Sequence, residues 1–193
     1  MRSRVASLGI TAVYNEVAGS IPDGLTGSAL VLAGYQWYRD NYNTSSAANR
    51  ATNGRVFESL VLEALHQEGI LPVYYQAKVV NVPNVVYDIL LFDPIRPVVL
   101  SCKTSLRERW KQADLEGLAL KQVYRGAASV LLTLSQEGRS VQNSITESNV
   151  VGLDQCIVID QDSTSFDDLL EDLKVRSFRV AVKMMPLGGT IIK

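Results

Sequence analysis

A central mixed β-sheet flanked by helices, an α/β fold, is the architecture this 193-residue sequence predicts. Two observations carry that expectation. Apolar runs of strand length recur between residues 73 and 159, separated by turn pairs such as Pro83-Asn84 and Asp93-Pro94. Segments with apolar residues at helical spacing stand before, between and after them. The composition, 47% hydrophobic and 20% charged, is that of a globular chain able to bury a core. No repeat, low-complexity tract or linker interrupts it, so a single domain over 1–193 is expected.

Taken in order, residues 1–25 are mixed and give no clear element. Residues 28–40 have helical character and lead into a polar loop, Asn41 to Asn53. A second helix is expected from about Gly54 to Gln67, because Phe57, Leu60, Val61, Ala64 and Leu65 follow the i, i+3, i+4, i+7, i+8 pattern and Gly69 can end it. Strands are expected at Val73–Gln76, Lys78–Val82, Val85–Phe92 and Pro97–Cys102. The next helix is expected over Ser105–Tyr124, with Ser105 as N-cap and Glu108 at the spacing of a capping box. Val130–Leu134 and Cys156–Ile159 are continuously apolar, as strands buried on both faces are. Asp167–Lys174 suggests a helix and Phe178–Met184 a final strand.

Several function classes are excluded early. No apolar run reaches the length of a membrane span, and no apolar stretch of signal-peptide type follows Met1-Arg2-Ser3-Arg4, so a cytoplasmic protein is expected. Cys102 and Cys156 lack metal-ligand spacing and fit reduced thiols. One histidine, His66, is too few for a zinc site or a histidine-based triad. The net charge of −1 does not advertise nucleic-acid binding, but charge is unevenly placed. Six Lys/Arg face three Asp/Glu between Lys103 and Arg125, while Asp160 to Asp172 carries six acids and no base. A locally positive surface can bind DNA on a chain of neutral net charge.

The chemistry concentrates around Lys103. Ser101 and Lys103 share a strand face because side chains two apart point the same way. Asp88 interrupts an apolar strand, and a buried carboxylate there needs a partner, either Lys103 or a metal ion. Glu116, thirteen residues after Lys103, lies on the following helix with Arg109 and Gln112 on one stripe. Asp114 is a rival for its role. Asp88, Glu116 and the backbone carbonyl of Cys102 are enough oxygen ligands for Mg2+, which keeps several waters. Lys103 can then orient a water and balance charge. Glu58, at the edge of the buried face of the second helix, can support the site or be a plain boundary carboxylate. Without the metal, Asp88 and Lys103 make a strand-end salt bridge.

Asp88, Ser101-x-Lys103 and Glu116 resemble the PD-(D/E)xK nucleases in the variant whose ExK glutamate is replaced by serine and whose following helix supplies a glutamate. Gly54-x-x-Phe57-Glu58 resembles the helix that opens that fold. Lys103, then Arg107-Glu108-Arg109 beginning four residues later, then Glu116, is similar to the EcoRII-like, CCGG-type group of type II restriction endonucleases. The resemblance covers about residues 54–134 and implies a restriction-endonuclease-like fold with its catalytic core there. Residues 1–53 would contribute DNA contacts or dimerisation. It implies Asp88, Lys103 and Glu116 as catalytic residues, Glu58 as auxiliary, and Mg2+ as cofactor. Arg107, Glu108 and Arg109 would read bases, since arginine pairs with guanine O6 and N7 and a carboxylate accepts from cytosine N4. Ser105 stands beside them. Double-stranded DNA with a CC…GG site would be the substrate. A homodimer, or else a monomer, would act beside a DNA methyltransferase sharing that site.

Tyr87 stands where the family name has proline. Trp37 can stack on a flipped base, as some members of the group require, or belong to the core. Three other assignments stay open: a repair or junction nuclease of the same superfamily that reads DNA shape, a DNA-binding module without activity, and an unrelated α/β protein with a chance motif, which would show no DNA affinity that falls with salt.

Overall fold

The apolar runs of the sequence form β1 (Val73–Val79), β2 (Tyr87–Leu91), β3 (Val98–Lys103), β4 (Ala128–Thr133) and β5 (Gln155–Val158), and Pro186–Ile192 adds β6. They join in one sheet in the order β5-β4-β3-β2-β1-β6. Its β6-β1-β2-β3 half is antiparallel, and β3, β4 and β5 run parallel. The protein is described here from a computed structural model that covers residues 12–181 and 186–193. It divides into two compact units, Met1–Ile70 with Ile159–Lys174 and Leu71–Val158 with Val175–Lys193.

The second unit carries the sheet. Parallel strands need crossovers, and α4 (Arg109–Val123) and α5 (Gly138–Thr146) supply them between β3, β4 and β5. Helix α4 packs on β3 and β4, and α5 packs on β5. The expected class, a mixed sheet flanked by helices, is therefore what forms. Helix α4 takes part in two apolar clusters, through Leu120 with Tyr74, Tyr87, Leu90 and Val99, and through Ala113 with Leu106, Leu131 and Cys156. Between these residues stands Gly117. A Cβ there would lie 2.5 Å from the Gly152 carbonyl and 2.6 Å from Ser129 Oγ, so glycine lets the helix backbone settle directly on β4.

The first unit is helical: α1 (Ala12–Ser20), α2 (Gly27–Asn41), α3 (Arg50–Gln67) and α6 (Ser165–Lys174). Asp167 accepts hydrogen bonds from the backbone N–H and the hydroxyl of Ser28, at 2.8 and 2.5 Å, and so caps the start of α2 from α6. Tyr38 donates to Asn53 at 2.8 Å, tying α2 to α3.

The elements depart from expectation in four places. The two strands expected over Val73–Val82 are one, because Gln76, with φ of 51°, forms an irregularity inside β1 instead of a turn, and the register against β6 shifts there. Helix α3 begins four residues before Gly54, after a 3-10 turn at Ala47–Asn49. Helix α4 begins at Arg109, not Ser105, because Arg107 has a left-handed φ of 37° that no helical turn accommodates. The capping box is therefore absent. Of the final strand expected over Phe178–Met184, residues 178–181 are not a strand and 182–184 lie outside the described residues; β6 begins at Pro186. Helices α1 and α5 are additional.

The close approach at Gly117 sets a stability test. Gly117→Ala should cost about 1–3 kcal/mol by overpacking. Gly19→Ala, in α1 with nothing within 4 Å of the added methyl, should be neutral or gain up to about 1 kcal/mol. Urea unfolding measures both, and equal shifts for the two variants would refute the packing argument.

Candidate active site

Pairing of Ile89 with Leu100 brings Asp88 beside the last residues of β3. There Asp88 Oδ2 accepts from the Lys103 ammonium at 2.7 Å and from the Cys102 backbone N–H at 2.8 Å. The side chains of Lys103 and Asp88 are only 7% and 13% exposed. Lysine at such burial is favourable only with a partner. Burial alone pulls the Lys103 ammonium down, but the charge and hydrogen bond of Asp88 outweigh it and leave its pKa above the ordinary lysine value.

Glu116 is presented from α4. Burial pushes its carboxyl up; a hydrogen bond from Gln112 at 2.6 Å and the Lys103 charge act in the other direction, and the Asp88 charge adds to the rise. The net result is a carboxylate above its usual range. Asp88, Lys103 and Glu116 are thus electrostatically coupled. Asp114, the rival for the role of Glu116, is occupied elsewhere: its Oδ1 accepts from the backbone N–H groups of Gly152 and Leu153, at 2.6 and 3.0 Å. That clasp fixes the loop before β5 against α4.

The donor set suits a hard cation. Two carboxylates and a backbone carbonyl would offer oxygen ligands only, and burial holds the Glu116 carboxyl above its usual range. Among the described residues, no group of three or more His, Cys, Asp or Glu side chains could hold a metal by itself. An ion that retains several waters and takes one or two carboxylates, as Mg2+ does, fits this composition.

The base-reading candidates lie just beyond. Leu106 is fully buried, while Ser105, Arg107, Glu108 and Arg109 are exposed. Arg107 and Glu108 belong to a turn, not to a helix face as expected, and only Arg109 is in α4. The Arg107 backbone N–H donates to Glu137 at 3.0 Å, and Glu108 forms an ion pair with Lys111. In the helical unit, Glu58 is buried on α3 and Trp37 is half-buried on α2, its ring 6.4 Å from that of Tyr42.

Two residues around Glu116 were not foreseen. Gln112 appeared in the sequence only as part of a stripe, although its place one turn before Glu116 is the spacing of a side-chain pair. Tyr87 appeared only as a departure from proline, yet its hydroxyl donates to the Glu116 carbonyl at 3.1 Å.

No protein-family model and no curated protein matches the sequence. Among solved structures, the chain is similar to the restriction endonuclease PspGI in complex with substrate DNA. That match has 15% identity and a TM-score of 0.47, over 76% of this chain and 74% of that one. No helix among the described residues is long and apolar enough to cross a membrane.

The raised carboxyl of Glu116 has a consequence for stability. A group whose folded pKa is raised contributes most below its unfolded value of 4.5 and loses that contribution as pH rises through the folded value. Glu116→Gln should therefore raise the melting temperature of the metal-free protein at neutral pH, and the advantage should vanish below pH 4.5. A calorimetric series across pH 3.5–8 tests this; a mutant that is no more stable at pH 7 than at pH 4, relative to wild type, would contradict it.

Proposed function

We propose that this chain is a type II restriction endonuclease that hydrolyses phosphodiester bonds of double-stranded DNA at a site containing CC…GG, with Mg2+. The observation that carries the proposal is the buried contact of Asp88 with Lys103 across β2 and β3, coupled to Glu116 on the next helix. These are the residues that the motif spacing singles out.

In this scheme Asp88, Glu116 and the Cys102 carbonyl would hold Mg2+. When bound, the ion would supply Lewis-acid polarisation of the scissile phosphate and of the attacking water. Lys103 would orient the attacking water and offset negative charge developing on the phosphoryl oxygens. Water oxygen would form the new bond to phosphorus as the bond to the 3′ oxygen breaks; the water gives up a proton to solvent and the 3′ oxygen takes one up from solvent, leaving 5′-phosphate and 3′-hydroxyl ends. Asp88 holds the ammonium of Lys103 in place beforehand.

Arg107, Glu108 and Arg109 are the proposed base readers. Their exposure leaves the two guanidinium forks and the carboxylate available to the major groove, where arginine pairs bidentately with guanine and a carboxylate accepts from cytosine. Glu108 would exchange Lys111 for cytosine N4. A homodimer would match a palindromic site by its two-fold symmetry, and a methyltransferase of the same specificity would protect the host's copies of that site. Ser105 would contact the backbone beside the readers, and Trp37 would offer a stacking surface to a flipped base.

Digestion of phage-length DNA with Mg2+, followed by sequencing of the ends, tests the proposal. Discrete fragments ending at CC…GG sites are expected. Lys103→Ala should slow the cutting roughly 10²–10³-fold, the scale of losing one donor to the transition state. Degradation without preferred ends would replace the restriction assignment with a repair-type nuclease. No Mg2+-dependent cutting would refute the proposal altogether.

Arg107 offers a separate check on base reading. Arg107→Ala should cost about 1–3 kcal/mol of discrimination at one base position, seen as cleavage of sites changed at that position. A uniform loss across all sequences would make Arg107 a phosphate contact instead.

A further inference from the structure

The residue before Asp88 does more than fill space. Tyr87 is fully buried and packs in the cluster that includes Leu90, Val99 and Leu120. Its backbone pairs with Ala77 in the β1–β2 ladder. Its hydroxyl crosses to α4 and donates to the main-chain carbonyl of Glu116 at 3.1 Å. Glu116 lies within the helix, where its carbonyl is already placed to accept the i+4 amide. The phenol bond is therefore not needed to complete the helix. It is a strut between two elements, and it ends on the residue next to Asp88 and on Glu116 itself. A proline at position 87 would lack both the backbone donor and the reach.

We propose that Tyr87 is a positioning residue, whose hydroxyl fixes the separation of Asp88 and Glu116 so that the two carboxylates can share one divalent cation. The inference rests on the metal-binding role given above to those two residues. Gln112 complements the strut: it holds the Glu116 carboxylate at Oε1, while Tyr87 holds the backbone from which that carboxylate projects. The simpler account is that a buried tyrosine has merely found an acceptor for its hydroxyl, as buried tyrosines do. The two accounts differ in what removal of one oxygen should do. Loss of a support behind a metal ligand typically weakens metal affinity 10- to 100-fold. Loss of an incidental hydrogen bond leaves affinity unchanged.

The test compares wild type, Tyr87→Phe and Glu116→Gln. Mn2+ binding to the DNA-free protein is followed by electron paramagnetic resonance of the free ion, beside metal-free melting temperatures and cleavage rates across a Mg2+ series. Tyr87→Phe keeps the ring and its packing, so the fold is preserved. The expected result is about tenfold weaker Mn2+ binding, a higher Mg2+ midpoint for cleavage, and a rate at saturating Mg2+ close to that of wild type. Unchanged Mn2+ affinity in Tyr87→Phe, with affinity lost in Glu116→Gln, would overturn the strut while leaving the metal site standing. A rate loss that saturating Mg2+ does not restore would also overturn it. If wild type and Glu116→Gln bind Mn2+ equally or not at all, the metal site itself falls, and the strut with it.

Discussion

The interaction on which the site depends is the buried pairing of Lys103 with Asp88. β3 is buried from Val98 to Lys103, so it ends by placing an ammonium where water scarcely reaches. An ammonium left unpaired there would cost several kcal/mol, and removal of one member of such a pair commonly costs about 3–5 kcal/mol. Asp88 supplies the counter-charge and accepts the Cys102 amide with the same oxygen, so one carboxylate anchors both the side chain and the backbone of the strand end. The pair is balanced, but Glu116 is not. Burial is the main reason its carboxyl stays protonated to higher pH, with the Asp88 charge adding to the rise. A pair alone is ordinary architecture; a half-buried carboxylate beside it, above its usual range, is what the proposed chemistry would use.

Glu116 is carried by a helix that comes close to β4 at Gly117. Helix α4 has little apolar bulk on its inner side, where Ala113, Gly117 and Leu120 are the buried residues. Small residues there draw the helix down onto β4, and polar contacts then fix it. Asp114 clasps the loop before β5, and Tyr87 reaches the Glu116 carbonyl from β2. Each contact joins α4 to a different part of the sheet unit. Glu116 therefore sits on a helix held at several points, which is what its proposed role as a metal ligand would require.

The strands and the longer helices were legible in the sequence because burial imposes a pattern on it. Leu100, Leu131 and Ile157 lie in runs too apolar for any exposed segment, and the Phe57 to Leu65 spacing announced α3. The exceptions share a cause: backbone conformation that side-chain type does not betray. Gln76 and Arg107 adopt left-handed φ values without being glycine or asparagine, and they decide where β1 bends and where α4 starts. The polar sequence of α5, with Gly138 and Val141 buried, offered too few apolar residues to stand out. Among the site residues, Asp88 and Lys103 were readable because a charge inside an apolar strand requires an explanation. Tyr87 was not, because its contribution is a hydroxyl bond across 29 positions, and nothing local marks the acceptor.

The same backbone geometry constrains how recognition and cutting would be connected. Lys103 is buried at the end of β3 and Leu106 is buried in the cluster beneath α4, so the segment between them is pinned at both ends. Arg107 follows at once, turned outward by its left-handed conformation. The first proposed base reader stands four positions after the proposed catalytic lysine, a backbone span of at most about 14 Å. DNA advances about 3.4 Å per base pair, so that span corresponds to roughly four steps before side-chain reach is added. A protein built this way would have no room for a cut remote from the bases it reads. Turning Arg107 outward on a short, anchored turn, instead of on the helix, would shorten the link between the proposed reading and the proposed chemistry. That link is rigid because its residues are fixed by the core on either side, with Lys103 held by Asp88 and Leu106 by Ala113 and Leu131.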